Sequence, residues 1–481
     1  MTKFIRGFFL FLLFISTRIY AQQQIGLMHG RYNVMENINI NPASAVAPLP
    51  YLDIHVVGAH AFFDNNYGYL KKSDFAPLIG RMGTTVSYNE SNELKTGEAY
   101  AVARGPGFNL SYLEWAFGAS LSVRSVTSFR EIPYRMAAVL RNDRSDIHDT
   151  LNTNTYDETG FTMSSLLWSE LAVHVGRIVY ENDKHLIAVA GRPKLLVGMA
   201  GQYLRTDAFK YTPLSTTRAQ FDEVSGEYTG TELGLGGFGW GLDIGVEYRA
   251  MEKRTNNYVP HSEESGCRYI PYRWKVGLAV LDIGRIQMNR NSYYRSLSSG
   301  SAYWDKEEEY NYWSSKEFIE KLDSEFGNTV DTKKDNYTVG LPTAISLTGD
   351  FHLKDDFWLG AGVLLAVPKG QRLGSQEMTF VSVTPRYETR YFEIAVPISA
   401  NQLMPPNLGL AARVGPFQFG TDNLISYLVG DAYRFDAYAS FTIDIVESGR
   451  CGGSNGTKQP FWRFNDCSAP KNNYKKPKKK K

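Results

Sequence analysis

From Gly237 to Arg249 every second residue is large and apolar: Phe238, Trp240, Leu242, Ile244, Val246 and Tyr248. The residues between them are Gly237, Gly239, Gly241, Asp243, Gly245, Glu247 and Arg249, all of them small or charged. Successive side chains of a strand point to opposite faces, so this segment has one apolar face and one of glycine and charge. A sandwich strand would turn the apolar face to a second sheet and the other to bulk water. Glycine mixed with charge suits a crowded polar lumen instead, and the aromatic residues at both ends of the apolar row suit two membrane interfaces. The pattern is that of a strand in a transmembrane β-barrel.

The same period recurs toward the C-terminus. Trp274, Val276, Leu278 and Val280 alternate with Arg273, Lys275, Gly277 and Ala279; Phe357, Leu359, Ala361, Val363, Leu365 and Val367 alternate with Trp358, Gly360, Gly362, Leu364 and Ala366. Phe392, Ile394, Val396 and Ile398 behave alike around Glu393 and Ala395, as do Leu408, Leu410, Ala412 and Val414 around Gly409, Ala411 and Arg413. In the last segment Phe435, Phe441 and Ile443 oppose Arg434, Asp436, Ser440, Thr442 and Asp444. Earlier strands are expected near 51–63, 84–104, 107–128, 164–180, 185–205 and 217–232, with Gly105, Pro106 and Gly107 as a tight turn. The expected fold is therefore all-β, a transmembrane antiparallel up-and-down barrel of about 14 strands, in the range of about 12 to 16.

Short connections are expected at Gly284, Lys354 to Asp356, Pro385 to Thr389 and Gly415 with Pro416. Long ones fall at 250–270, 297–335, 368–376, 399–406 and 422–431. Outer-membrane barrels keep tight turns in the periplasm and long loops outside. This register sends Gly237–Arg249 upward into an outer loop at 250–270 and the final strand downward. Helical spacing at Pro133–Arg141 and Ser315–Phe326 predicts short helices in extracellular loops, packed over the mouth as lids.

The first 21 residues read as a cleaved export signal: Lys3 and Arg6, an apolar run from Gly7 to Ser16, and Ala21 before Gln22. That run is too short to cross a bilayer as a helix, and no later stretch of 18 apolar residues exists. The barrel is expected over 51–446, with the segment 22–50 between signal and first strand. This segment is too polar and Pro-rich for a strand, and either lies loose in the periplasm or folds into the lumen as a plug. Residues 447–481 carry Phe461-Trp462-Arg463-Phe464 and end in Lys475-Lys476-Pro477-Lys478-Lys479-Lys480-Lys481. Such a lysine run repels itself and is expected to form a disordered periplasmic tail; its charge suits an acidic periplasmic protein or an anionic wall polymer as partner. Cys451 and Cys467 are candidates for a disulfide in that oxidising compartment, and Cys267 is left as a lone surface thiol.

No catalytic, cofactor or metal constellation is legible. The eight histidines contain no His-Glu-x-x-His, and His55 and His60, five apart on a strand, are expected on opposite faces. There is no Gly-x-Ser-x-Gly elbow and no phosphate loop. An enzyme is not expected, and a net charge of +2 gives no pull toward nucleic acid. The candidate lumen residues are Asp243, Glu247, Arg249, Glu393 and Arg413, together with Lys275, Arg434, Asp436 and Asp444. Their mixed sign points to pairs that hold strand register rather than to an ion-selective pathway.

The motif Asn41-Pro42-Ala43 before a many-stranded barrel resembles the FadL-like superfamily of outer-membrane proteins, and more closely the Bacteroidota barrels of the PorV and PorP/SprF type. Val276 to Arg285, Leu341-Pro342-Thr343-Ala344 and Gly415-Pro416-Phe417-Gln418-Phe419-Gly420-Thr421-Asp422-Asn423-Leu424 carry the likeness. It implies that Asn41, Pro42 and Ala43 sit in the lumen as a plug, that the barrel contacts outer-membrane lipid, and that it passes small hydrophobic or amphipathic solutes. It also implies the alternative of a non-transporting scaffold or accessory subunit of a secretion or assembly complex.

Overall fold

The computed structural model describes residues 24–446 apart from 74, 77–80, 83–84, 142–154, 183, 215–217, 252–260, 262–268, 298–300, 306–323, 325–329, 368–372, 375–378 and 402–405. The export signal, the tail with Cys451 and Cys467, Cys267, and all but Ser324 of the helix expected over 315–326 lie outside the described residues.

One sheet of 22 hydrogen-bonded segments closes on itself and merges into a wall of fourteen antiparallel strands. They are β1 (Leu52–Asn65), β2 (Lys95–Tyr112), β3 (Trp115–Ile132), β4 (Tyr156–Thr159 and Thr162–Glu181), β5 (His185–Pro213), β6 (Arg218–Thr231 and Gly237–Met251) and β7 (Tyr272–Met288, Ser292–Leu297 and Ala302–Asp305). The others are β8 (Val330–Lys334, Tyr337–Gly340 and Ala344–Lys354), β9 (Phe357–Ala366), β10 (Phe380–Glu388), β11 (Phe392–Ala395 and Ile398–Ala400), β12 (Asn407–Leu408 and Leu410–Val414), β13 (Phe417–Thr421) and β14 (Arg434–Ile445). Closure comes from β1, which pairs with β14 from Leu52↔Ile445 to Asp64↔Arg434 and with β2 on its other edge. Among the described residues the closed sheet therefore has no edge strand, as a wall in lipid requires. Two short hairpins lie between β1 and β2, Gly68–Leu70 with Val86–Tyr88 and Phe75–Ala76 with Arg81–Met82. The described elements also include three short α-helices, α1 (Val34–Ile38), α2 (Tyr134–Arg141) and α3 (Leu424–Leu428), and one 3-10 turn, Pro42–Ala45.

Burial follows the alternation that defines β6. Phe238, Trp240, Ile244 and Val246 are exposed on the outer wall, while Gly241, Asp243, Gly245, Glu247 and Arg249 are buried inside. From Phe238 to Tyr248 the outer row spans about ten residues; at about 3.3 Å each and about 45° of tilt this rises about 23 Å, the height of a lipid-facing band. Ile244 lies mid-band. Ile244→Arg is expected to destabilise the barrel by about 2–4 kcal/mol, measured by urea unfolding in liposomes, and Ile244→Leu to leave it unchanged.

Three expectations are corrected by bulges. Gly284 is no turn but pairs with Gly241 inside β7. Leu281 and Asp282 are both buried opposite Asp243 in a bulge where Asp282 has φ 53°, so the alternation changes phase while the strand continues. Without a turn at Gly284 the direction of β6 reverses: it descends, and the connection 252–271 joins the end that carries the tight turns at 113–114, 182–184, 355–356, 389–391 and 415–416. Likewise Gly105-Pro106-Gly107 is a bulge within β2, whose ladder shifts between Arg104 and Gly107, and the real turn is at Leu113, φ 55°. A third bulge between His55 and Val57 puts Val56 and Val57 both outside, so His55 and His60 both face inward rather than to opposite faces.

Candidate functional site: the occupied lumen

Residues 24–50 run through the inside of the barrel. All are buried except Arg31 and Asn39, which are half-buried. The short helix α1 is followed by a 3-10 turn, Pro42–Ala45, capped by Asn41, whose Oδ1 accepts from the Ala43 N–H at 3.0 Å. Proline at the first position of that turn costs no hydrogen bond. The Asn41 Nδ2 donates to the Val246 carbonyl at 3.1 Å, and Ala43 is fully buried.

The wall holds this segment largely by its main chain. Asp422 accepts from the Ile25 and Gly26 amides at 2.7 and 3.1 Å, Glu388 from the Arg31 amide at 2.8 Å and Asp53 from the Val34 amide at 3.2 Å. Arg249 donates to the Val46 carbonyl at 2.7 Å and to the Ala47 carbonyl, and Asn109 donates to the Ala45 carbonyl at 3.2 Å. Charged hydrogen bonds of this sort are roughly twice as strong as neutral ones and answer groups that no ladder reaches. Glu36 pairs with Arg104 at 2.7 Å and Asn39 accepts from Arg192 at 2.9 Å.

Inward glycines of the wall are the imprint of the segment. A Cβ on Gly245 would strike Asn41 and Pro42; on Gly277, Asn41; on Gly360, His29; on Gly362, Met28; on Gly176, Val46; and on Gly107, Met35. Here glycine serves close approach. On β6 this holds for Gly245 alone; Gly241 faces Leu341 and Lys194, and Gly237 and Gly239 lie against β7.

Of the named lumen residues, Asp243, Glu247, Arg249, Lys275, Glu393 and Arg413 fall into two groups, while Arg434 lies 2.7 Å from Asp64 and Asp436 lies 2.9 Å from His60. On one side Lys194 lies 2.8 Å from Asp243 and 2.6 Å from Asp282, Arg124 lies 2.8 Å from Asp282, and Arg192 lies 3.6 Å from Glu170. Asp243 also accepts from the Asp282 amide at 2.7 Å. Just below, Arg249 donates to Glu247 at 2.6 Å, with Lys275 3.6 Å from Glu247. On the other side Arg413 lies 3.6 Å from Glu393, donates to the Thr389 and Arg390 carbonyls at 2.6 and 3.0 Å, and covers the Tyr32 ring at 4.4 Å. Arg386 there meets Asp350 at 2.6 Å and Glu388 at 3.1 Å. Residues 24–50 bond to both groups, which also meet along the wall where Lys275 is the cross-strand partner of Asp350.

Sequence reading missed Asp53, Arg104, Arg124, Glu170, Arg192, Lys194, Asp282, Asp350, Arg386, Glu388 and Asp422. The one visible signal was Arg192-Pro193-Lys194, a pair of like charges two apart on a strand and so on one face.

Above this charged level the interior turns apolar. Tyr100, Val102, Val126, Leu166, Trp168, Leu196, Ile286, Met288, Tyr337, Val339 and Leu341 form one buried cluster. Further up, Phe161, Phe209, Tyr211, Val224 and Tyr228 pack with Met136 and Ala137 of α2. A cavity of about 30 Å³ lies where the two levels meet, lined by Tyr100, Val102, Arg124, Glu170, Lys194 and Asp282 among others. It has room for about two waters.

Residues 50–422 match the sequence profile of a family described as a family of unknown function, DUF5723. The chain belongs to that family. No curated protein matches this DUF5723 member. Among solved structures it is similar to the Ralstonia pickettii toluene transporter TbuX, at 9% identity and a TM-score of 0.41, over 89% of this chain and 99% of that one. It is also similar to the Pseudomonas putida toluene transporter TodX, at 10% identity and 0.33, over 89% and 99%. The outer membrane protease OmpT of Escherichia coli overlaps at 6% identity and 0.19, over 82% and 95%. At such scores no activity passes from those proteins to this DUF5723 member.

Proposed function

We propose that this protein is a FadL-like outer-membrane barrel, with its tight turns in the periplasm, that admits small hydrophobic or amphipathic solutes from the outside into its upper lumen. One observation carries the reading: the apolar interior from Leu166 and Trp168 up to Phe209 and Tyr211 ends directly on a floor of buried ion pairs and a segment locked in place. An apolar guest that parts these packed side chains meets an apolar lining above that floor and is excluded below it, because entry there would strip paired charges of their partners. Residues 24–50 act in this reading as a plug.

The test is uptake of radiolabelled toluene by cells expressing the wild type or Leu166→Asp, each first shown to be folded by resistance to SDS at room temperature. Uptake above the empty-vector level that Leu166→Asp abolishes is the expected result; wild-type uptake equal to vector would sink the proposal. The filled lower lumen favours a second reading, a non-transporting scaffold of an envelope complex. Stoichiometric copurification of another envelope protein in mild detergent, without solute uptake, would select it.

A further inference from the structure

On the outer face of β7 the apolar row Trp274, Val276, Leu278, Val280 and Ile283 is succeeded by Arg285 and then Gln287, both exposed. Arg285 is thus the first polar residue after the apolar row of β7, level with the upper end of the lipid-facing band of β6, on a surface where a cation is tolerated only near an interface. Its cross-strand partner on β6 is Trp240, half of whose surface is exposed. Its partner on β8 is Gly340, which has no side chain to cover it. A second exposed cation, Arg290, stands with its Cζ 6.0 Å from the centroid of the Phe238 ring, one register step above Trp240. Between the two parts of β6 the chain swings out through 232–236 and leaves Leu233 and Leu235 largely exposed. Among the described residues neither guanidinium has a carboxylate within ion-pair distance.

Two uncompensated guanidinia beside two aromatic rings, at the top of an apolar wall, match a molecule with an anionic head and acyl chains. We propose that this patch of β6 and β7 is a seat for a phosphate-bearing membrane lipid. Arg285 and Arg290 grip the phosphate, Trp240 and Phe238 stand at the level of the glycerol and upper chain, and the chains lie down the wall over Leu242 and Ile244. Arginine suits this role because its planar fork binds phosphate oxygens in pairs. The site rests on the membrane-spanning reading of the barrel but not on the transport of any solute.

The test is native mass spectrometry of the full chain released from nanodiscs of equal phosphatidylglycerol and phosphatidylcholine. Wild-type protein is expected to retain phosphatidylglycerol in preference to phosphatidylcholine. Arg285→Gln or Arg290→Gln should each lower that preference about fivefold, the double variant about thirty-fold, and Arg273→Gln, at the opposite end of β7, should leave it unchanged. Equal retention of both lipids by the wild type, an unchanged preference in the double variant, or displacement of the lipid by millimolar inorganic phosphate would each overturn the proposal. The wild-type preference is read without any variant, so a variant that fails to fold does not shield the idea.

Discussion

Replacing Arg386 by Ala is expected to cost about 3–5 kcal/mol of stability. Its side chain is fully buried, donates to both Asp350 oxygens at 2.6 and 2.8 Å and to Glu388 at 3.1 Å, and stands 4.0 Å from Glu393. Removing it leaves three buried carboxylates with fewer cations, and the desolvation of each is no longer offset. Arg386→Lys should recover part of the loss, since an ammonium keeps the charge without the two-pronged geometry. The exposed pair of Arg177 with Glu114 at 2.9 Å provides the contrast: Arg177→Ala should cost no more than about 1 kcal/mol. Reversible urea unfolding in liposomes measures both. Equal losses for the two variants would mean that water reaches the Arg386 cluster.

Deletion of residues 24–47 is expected to lower the same unfolding midpoint further than Arg386→Ala does. Leu27, Ile38 and Ile40 are at most 3% exposed, and each loses about 1.5–3 kcal/mol of burial on removal. Arg249 loses two carbonyls, Asp422 two amides and Glu388 one. Water entering the emptied lumen compensates these ions only in part. An unchanged midpoint would show that the segment contributes nothing to the closed barrel, contrary to the contacts above.

The wall was readable in the sequence because a lipid-facing strand must be apolar at every second position, and β6 obeys that rule from Phe238 to Tyr248. Turns were readable only where a strand truly ends, as at Gly415. Bulges were not, since a bulge and a turn leave the same local trace, a break in the alternation beside a small or turn-prone residue; Gly284 and Gly105-Pro106-Gly107 were both misread for that reason. The error at Gly284 reversed the direction of β6, because direction is counted turn by turn. The interior was harder still. Glycine at 107, 176, 245, 277, 360 and 362 looks like relief of crowding, and only the fold shows that each faces a particular residue of a segment up to several hundred positions away. Arg124, Lys194 and Asp282 come from three different strands, and no local spacing links them.

The seating of residues 24–50 inside the barrel is tested most directly by one labelling experiment. Ala43, fully buried beside the Asn41 cap, is changed to Cys in a chain whose Cys267, Cys451 and Cys467 are Ser, and membranes are treated with a water-soluble maleimide. Ala43→Cys is expected to show no labelling in the folded barrel and full labelling after denaturation. Labelling in the folded state at the rate of a Cys in place of the exposed Lys354 would contradict that seating.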